Sequence, residues 1–307
     1  MSSEKDSLFI IILENGNLND LLAQAFVQKL TTMGYLLSNY HGIQPPSQVN
    51  YWALSAGSIF SDYTKPTNEN INLRASNIYD LLDKKGISWK VYMENYPGAC
   101  FSGANSKTHG MINKNSFYVR KHNPAISFDN IRKDPLRCQK IVDAKDLLKD
   151  IIMQDLPQFA FYTPNNMNNG HDTNPEFTDD YLFRHWGPLF LDSRFMRNRT
   201  VIITYDENGD FEVPSGTNTC NIVQRENPIY TLILGPNVEV GENDEFYTHY
   251  NLLRTIEDHF DLGTLGRCDA QSKSIEINRK DPNITYDEEF LRLDNFTRDM
   301  EDIILSV

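Results

Sequence analysis

Leu8-Phe-Ile-Ile-Ile-Leu13, running straight into Glu14-Asn15, is the stretch that decides the fold. Six apolar residues, three of them β-branched, predict a strand buried on both faces, as in the middle of a parallel sheet. A carboxylate at the end of such a strand is costly to bury unless something pairs with it. Thr200-Val-Ile-Ile-Thr-Tyr205 followed by Asp206-Glu207 has the same form. Each acid pair is either a cap for the segment after it or half of a cation seat. Two of them on neighbouring strands would repel one another without a cation between them, which favours the seat.

The rest of the chain alternates in the same way. Strands are expected at 88–92, 158–162 and 230–234. Helices are expected at 20–33, 50–57, 76–85, 144–153, 180–193 and 251–260. This alternation predicts a largely parallel sheet with helices on both faces. One domain of 1–307 is expected, with a core at about 8–270, an irregular cap segment at about 95–140 and a polar tail at 271–307.

With 29 Lys and Arg against 42 Asp and Glu, the formal charge is −13, which repels nucleic acid and anionic membrane surfaces. No run approaches the roughly 18 apolar residues of a membrane span, so no stable membrane insertion is expected. A phosphorylated substrate would need a local reversal of the field, and a divalent cation supplies one.

The four cysteines, Cys100, Cys138, Cys220 and Cys268, lack CxxC spacing, so two disulfides are expected rather than a zinc ribbon. Cys100–Cys138 is the first choice of pair. With Asn-x-Ser/Thr acceptor triplets at Asn198, Asn283 and Asn295, this points to a secreted or lysosomal/vacuolar glycoprotein. No signal peptide is visible ahead of Ser7, so a cytoplasmic location is the alternative.

Ligands of open α/β sheets gather beyond the carboxyl ends of the strands. Besides the acid pairs, His171-Asp172 lies in the loop after the 158–162 strand, and His249 sits just before the last helix. A lone histidine is more often structural. Ser47, in Pro45-Pro-Ser-Gln-Val-Asn50, reads as a capping serine or as a hydroxyl activated by the positive end of a helix.

Glu14-Asn15, Pro46-Ser-Gln-Val-Asn-Tyr51 with Gly57, Tyr92-Met-Glu-Asn95, Lys121-His-Asn-Pro124, Pro164-Asn-Asn-Met-Asn-Asn-Gly-His-Asp172, Asp206-Glu207 and Thr248-His-Tyr-Asn-Leu-Leu-Arg-Thr-Ile-Glu257 occur in the order seen in the phosphoesterase family. That family includes acid phosphatases and non-toxin phospholipases C of the alkaline phosphatase superfamily. The chain resembles its fungal-type acid phosphatases over about 8–270. The resemblance implies a three-layer α/β/α sandwich with a mostly parallel central sheet. It implies metal-dependent hydrolysis of small phosphate monoesters through a phosphoserine on Ser47. Glu14, Asn15, Asp206, Glu207 and Asp172 are the implied metal ligands. His171 and His249 are implied at the leaving oxygen, and Asn50, Lys121 and His122 at the phosphate.

One or two divalent ions fit this set. Its oxygen ligands suit Mg, Ca or Mn at least as well as Zn. Val49 stands where the family usually has proline. A phosphodiesterase or phospholipase C on the same core and an inactive binding protein are the alternatives. The oligomeric state is left open.

Overall fold

The computed structural model describes residues 6–60, 71–106, 111–112, 115–209, 220 and 227–280. Its centre is an eight-stranded sheet. In chain order the strands are β1 (Ser7–Leu13), β2 (Tyr35–Leu37), β3 (Trp89–Met93), β4 (Ile141–Asp143), β5 (Phe159–Thr163), β6 (Arg199–Tyr205), β7 (Leu232–Leu234) and β8 (Gly241–Asn243). Across the sheet they lie in the order β8-β2-β7-β6-β1-β5-β3-β4. Every pairing is parallel except those of β7, which runs against both its neighbours.

The strand read first from the sequence is thus an inner one, with Phe9, Ile10, Ile11 and Leu13 wholly buried. Burying each such side chain contributes about 1.5–3 kcal/mol.

Register then delivers the site. Leu13 pairs with Tyr205 in parallel, so the next residues of each strand, Glu14 and Asp206, emerge side by side. Ile11 pairs with Tyr162, which brings the loop after β5 beside Glu14 as well.

The principal helices are α1 (Ala25–Thr31), α2 (Ser47–Ala56), α3 (Ile78–Lys85), α4 (Asp146–Met153), α5 (Pro175–Tyr181) and α6 (His249–His259). Two expected helices are broken. The 20–33 stretch splits into a short turn at Leu18–Leu22 and α1. The split arises because the Asp179 carboxylate accepts the Phe26 and Val27 N–H groups and so starts a new helix at Ala25. The 180–193 stretch becomes the end of α5, a π-helical turn at Leu182–Trp186 and the short helix Gly187–Phe190. Pro188 has no N–H to continue a regular ladder, and a π-bulge absorbs the defect.

Helices α2 and α6 begin earlier than expected, which places Ser47 and His249 at their first positions. Helix α2 follows a cis Pro45–Pro46 bond and ends at Gly57 in the left-handed region. Val49, in the first turn of α2, donates its N–H to the Pro46 carbonyl.

Disulfides join Cys100 to Cys138, the pair expected first, and Cys220 to Cys268. The first part of the expected polar tail, 271–280, packs on the body through Ile275, which is 5% exposed. The rest of that tail, with Asn283 and Asn295, lies outside the described residues. Among the described residues, no helix is long and apolar enough to cross a membrane.

Candidate active site

Three carboxylates meet where β1 and β6 end. Glu14 and Asp206 are almost wholly buried, and Glu207 is 5% exposed. The backbone ties them together: Asp206 N–H donates to the Leu13 carbonyl, Gly16 N–H to the Glu207 carbonyl and Asn15 N–H to Asp206 Oδ1. Burial pushes all three carboxyls above their ordinary range, and the mutual proximity of Glu14, Asp206 and Glu207 raises Glu14 and Glu207 further. Glu14 Oε2 and Asp206 Oδ2 are buried with no hydrogen-bond donor among the described residues. His122 Nε2 lies 3.3 Å from Glu14 Oε2 without forming a hydrogen bond to it. Buried acids with unpartnered oxygens fit a divalent cation, which lets all three ionise at once.

Ser47, at the first position of α2, points its hydroxyl at Glu207 Oε1 across 3.4 Å. The positive end of the helix favours an alkoxide and an incoming phosphoryl group at this spot. One turn on, Tyr51 donates to Glu14 Oε1 at 2.5 Å and so ties the same helix face to the cluster. Tyr51 is not among the residues expected at the site, although its i+4 spacing from Ser47 places it on the same helix face.

The loop 164–172 forms the opposite wall. Gly170, at φ 103, passes so close to the Glu14 carbonyl that a Cβ would sit 2.9 Å from it, so a side chain is excluded here. His171 Nδ1 bonds Asp172 Oδ1 at 2.8 Å, and its Nε2 lies 3.3 Å from Lys121 Nζ. Glu14, His122 and His171 present potential ligand atoms within 4.8 Å of one another. Of this set, Glu14 Oε2 and His122 Nε2 are buried without a hydrogen-bond partner among the described residues, whereas both ring nitrogens of His171 have partners.

Several residues take positions other than those expected. His249 is not an available acid. It is buried, its Nε2 contacts the Asp206 carbonyl at 2.7 Å, and its Nδ1 contacts the Tyr40 hydroxyl at 3.0 Å. Burial lowers its pKa to about 4, so it stays neutral and braces the loop that carries Asp206. Asn50 is not free to hold a phosphate oxygen either. Its Oδ1 accepts the Ile43 and Gln44 N–H groups and its Nδ2 donates to the Gln44 carbonyl and Glu207, so the amide is spent on shaping the turn before α2.

Asp172 orients His171 rather than joining the carboxylate group. Asn15 takes part through its backbone, and its side chain is exposed. His122 lies behind Glu14 with its ring stacked on Tyr51, and burial with Lys121 and His171 nearby holds it neutral. Its placement makes it a neighbour of the cluster rather than a surface group reaching for phosphate.

A sheet of this order, with an acid group and a helix-borne serine at its carboxyl edge, has the fold of the alkaline phosphatase superfamily. A solved superfamily member from Vibrio parahaemolyticus superposes with a TM-score of 0.56 at 14% identity, covering 90% of this chain and 72% of that one. Residues 22–263 match the Phosphoesterase family, and the chain belongs to that family.

It is 35% identical to a probable acid phosphatase of Kluyveromyces lactis over 90% of this chain. It is 33% identical to an acid phosphatase of Aspergillus fumigatus over 91%. The chain spans 63% and 60% of the lengths of these two curated relatives.

Proposed function

We infer that this protein hydrolyses small phosphate monoesters through a phosphoserine on Ser47, with a divalent cation held by Glu14, Asp206 and Glu207, beside which Asn15 serves through its backbone N–H. The observation that carries the reading is the convergence of the Ser47 hydroxyl on a buried carboxylate group that keeps unpartnered oxygens. The cation, when bound, neutralises phosphate charge and lowers the hydroxyl pKa.

In the first step Ser47 Oγ forms a bond to phosphorus as the bond to the leaving oxygen breaks. The hydroxyl proton passes toward Glu207, which the hydroxyl already faces. The Lys121–His171 pair delivers a proton to the leaving oxygen, while Asp172 holds the imidazole by Nδ1. Water then attacks the phosphoserine, releasing inorganic phosphate and restoring Ser47. Lys121 Nζ lies 3.3 Å from His171 Nε2 and so occupies the imidazole's free side, which is why one cation is the count we favour. The two disulfides suit an oxidising compartment, secreted or vacuolar.

Turnover of para-nitrophenyl phosphate, of its bis-ester and of phosphorylcholine tests the reaction class, with metal content measured before and after chelation. The monoester is expected to be turned over at least about tenfold faster than the diester. Ser47→Ala is expected to lose about 10³-fold or more while staying folded. A Ser47→Ala protein with near-normal turnover, or full activity without any divalent ion, would end this reading.

A further inference from the structure

Glu94, the residue after β3, lies outside the carboxylate group, yet its side chain accepts four hydrogen bonds. Oε1 takes the Tyr181 hydroxyl at 2.8 Å and the Tyr162 hydroxyl at 2.9 Å. Oε2 takes Asn168 Nδ2 at 2.7 Å and the Asn165 N–H at 3.0 Å. Both asparagines belong to the loop that carries His171.

The next residue, Asn169, faces the other way. Its carbonyl accepts the Glu14 N–H at 2.8 Å, its Oδ1 accepts the His171 N–H at 2.9 Å, and its Nδ2 approaches His122 Nδ1 at 3.5 Å. One wall of the loop is therefore held by Glu94 while the other touches Glu14, His122 and His171. Behind the held wall lies a cavity of about 570 Å³ bordered by Glu94, Asn165, Asn168, Tyr162, His185 and Leu148. The outer face of the loop is thus backed by open space, and its place depends on polar bonds more than on packing.

We propose that Glu94 is a positioning residue for the leaving-group chemistry. By holding Asn165 and Asn168, it keeps Asn169 and His171 in register with Glu14. This rests on the reading of His171 as the group that serves the leaving oxygen. The four bonds end on a carboxylate, and charge-assisted hydrogen bonds of this kind are the stronger class. A segment without a regular ladder of its own needs such an anchor to hold one conformation. Without it the loop relaxes toward the cavity, and the imidazole loses its alignment before anything in the core is disturbed.

The experiment compares Glu94→Ala, Glu94→Gln, Asn168→Ala and His171→Ala on two substrates. Para-nitrophenyl phosphate has a leaving group that needs little protonation, and glycerol phosphate has one that needs much. Glu94→Ala is expected to lower kcat on glycerol phosphate about 10- to 100-fold, lower it about 3-fold on the nitrophenyl ester, and leave KM within about 3-fold on both. Glu94→Gln is expected to recover most of the rate, because its amide oxygen can face the asparagines while its NH₂ donates to the tyrosine hydroxyls. Asn168→Ala is expected to fall between the two, and it carries the test if Glu94→Ala does not fold.

Equal losses on both substrates for Glu94→Ala and Asn168→Ala, with His171→Ala selective for glycerol phosphate, overturn the role of Glu94 alone. A His171→Ala protein that loses equally on both overturns the reading of His171 and this proposal with it.

Discussion

Helix α2 lies between two buried acid groups, and they behave differently. At its N-terminus, Ser47 faces Glu207, with Asp206 and Glu14 beside it. At its C-terminus, Gly57 packs so closely on Asp269 that a Cβ would come within 2.3 Å of Oδ1. Asp269 accepts the backbone N–H groups of Leu265, Gly266 and Arg267, so it serves as a local cap. Its neighbour Glu257 is wholly buried, and burial together with Asp269 pushes its pKa up to about 8.

Burial alone therefore does not mark a reaction site in this protein, since both groups have it. The distinction lies in the surroundings. The first group borders a helix-borne hydroxyl, a lysine and two histidines. In the second, Asp269 is engaged by backbone amides and Glu257 keeps both oxygens without a partner among the described residues, beside an Arg267 whose guanidinium is committed to the Ala56 carbonyl and Ser76.

The contrast is broken most sharply at Asp206. Asp206→Asn is expected to cost about 10³-fold in turnover and to lower divalent-ion content measured by elemental analysis, without unfolding the chain. Retained ion content with retained rate would erase the difference between the two acid groups.

His249→Ala is expected to reduce turnover only about tenfold. Its main effect should be a loss of roughly 2–4 kcal/mol of stability in urea unfolding, because the Asp206 carbonyl and the Tyr40 hydroxyl are left buried without a partner. A loss of rate as deep as that of His171→Ala would return His249 to the chemistry.

At the second group, Glu257→Gln is expected to leave kcat unchanged and to flatten the dependence of stability on pH. In the folded chain Glu257 keeps its proton up to about pH 8, whereas in the unfolded chain it loses it near pH 4.3, at about the ordinary glutamate value. The folded state binds more protons between these limits, so the contribution of this group is fully present below the lower limit and declines as pH rises toward the upper one. Its removal should reduce the loss of stability between about pH 5 and pH 8 by roughly 1–3 kcal/mol. An unaltered slope would mean that Glu257 is ionised throughout.

The smallest effect is expected at Asp179, whose carboxylate is spent on the Phe26 and Val27 N–H groups. Asp179→Ala should cost about 1 kcal/mol in thermal unfolding by uncapping α1, with activity unchanged.

Much of the fold was legible because β1 carries an unbroken apolar run and β6 a β-branched one, Thr200 to Thr204, of the kind a doubly covered sheet buries. The acid pairs at their ends stood out for the same reason, since polar residues are conspicuous against such runs. Ser47 was legible through its place before a helix. The break in the 20–33 helix was not legible, because it depends on Asp179, about 150 residues further on. Nor was the committed state of Asn50, whose partners Ile43, Gln44 and Glu207 are chosen by the shape of a turn and a strand end. Glu94 could be quoted within a motif, but its four partners come from β5, α5 and the loop 164–172, and no spacing in the chain reveals that they converge.

The order of the residues alone determined that buried strands exist, that two of them end in acids, and that the chemistry-bearing side chains lie at strand ends and helix starts. These are local consequences of hydrophobic burial and backbone geometry. Only the folded chain decided which of those side chains keep an unpartnered atom. Asp206 and Glu14 do, whereas His249, Asn50 and Asp172 are already bonded. Whether a donor or acceptor is left over depends on every group that packs against it, and that depends on contacts between residues far apart in the chain.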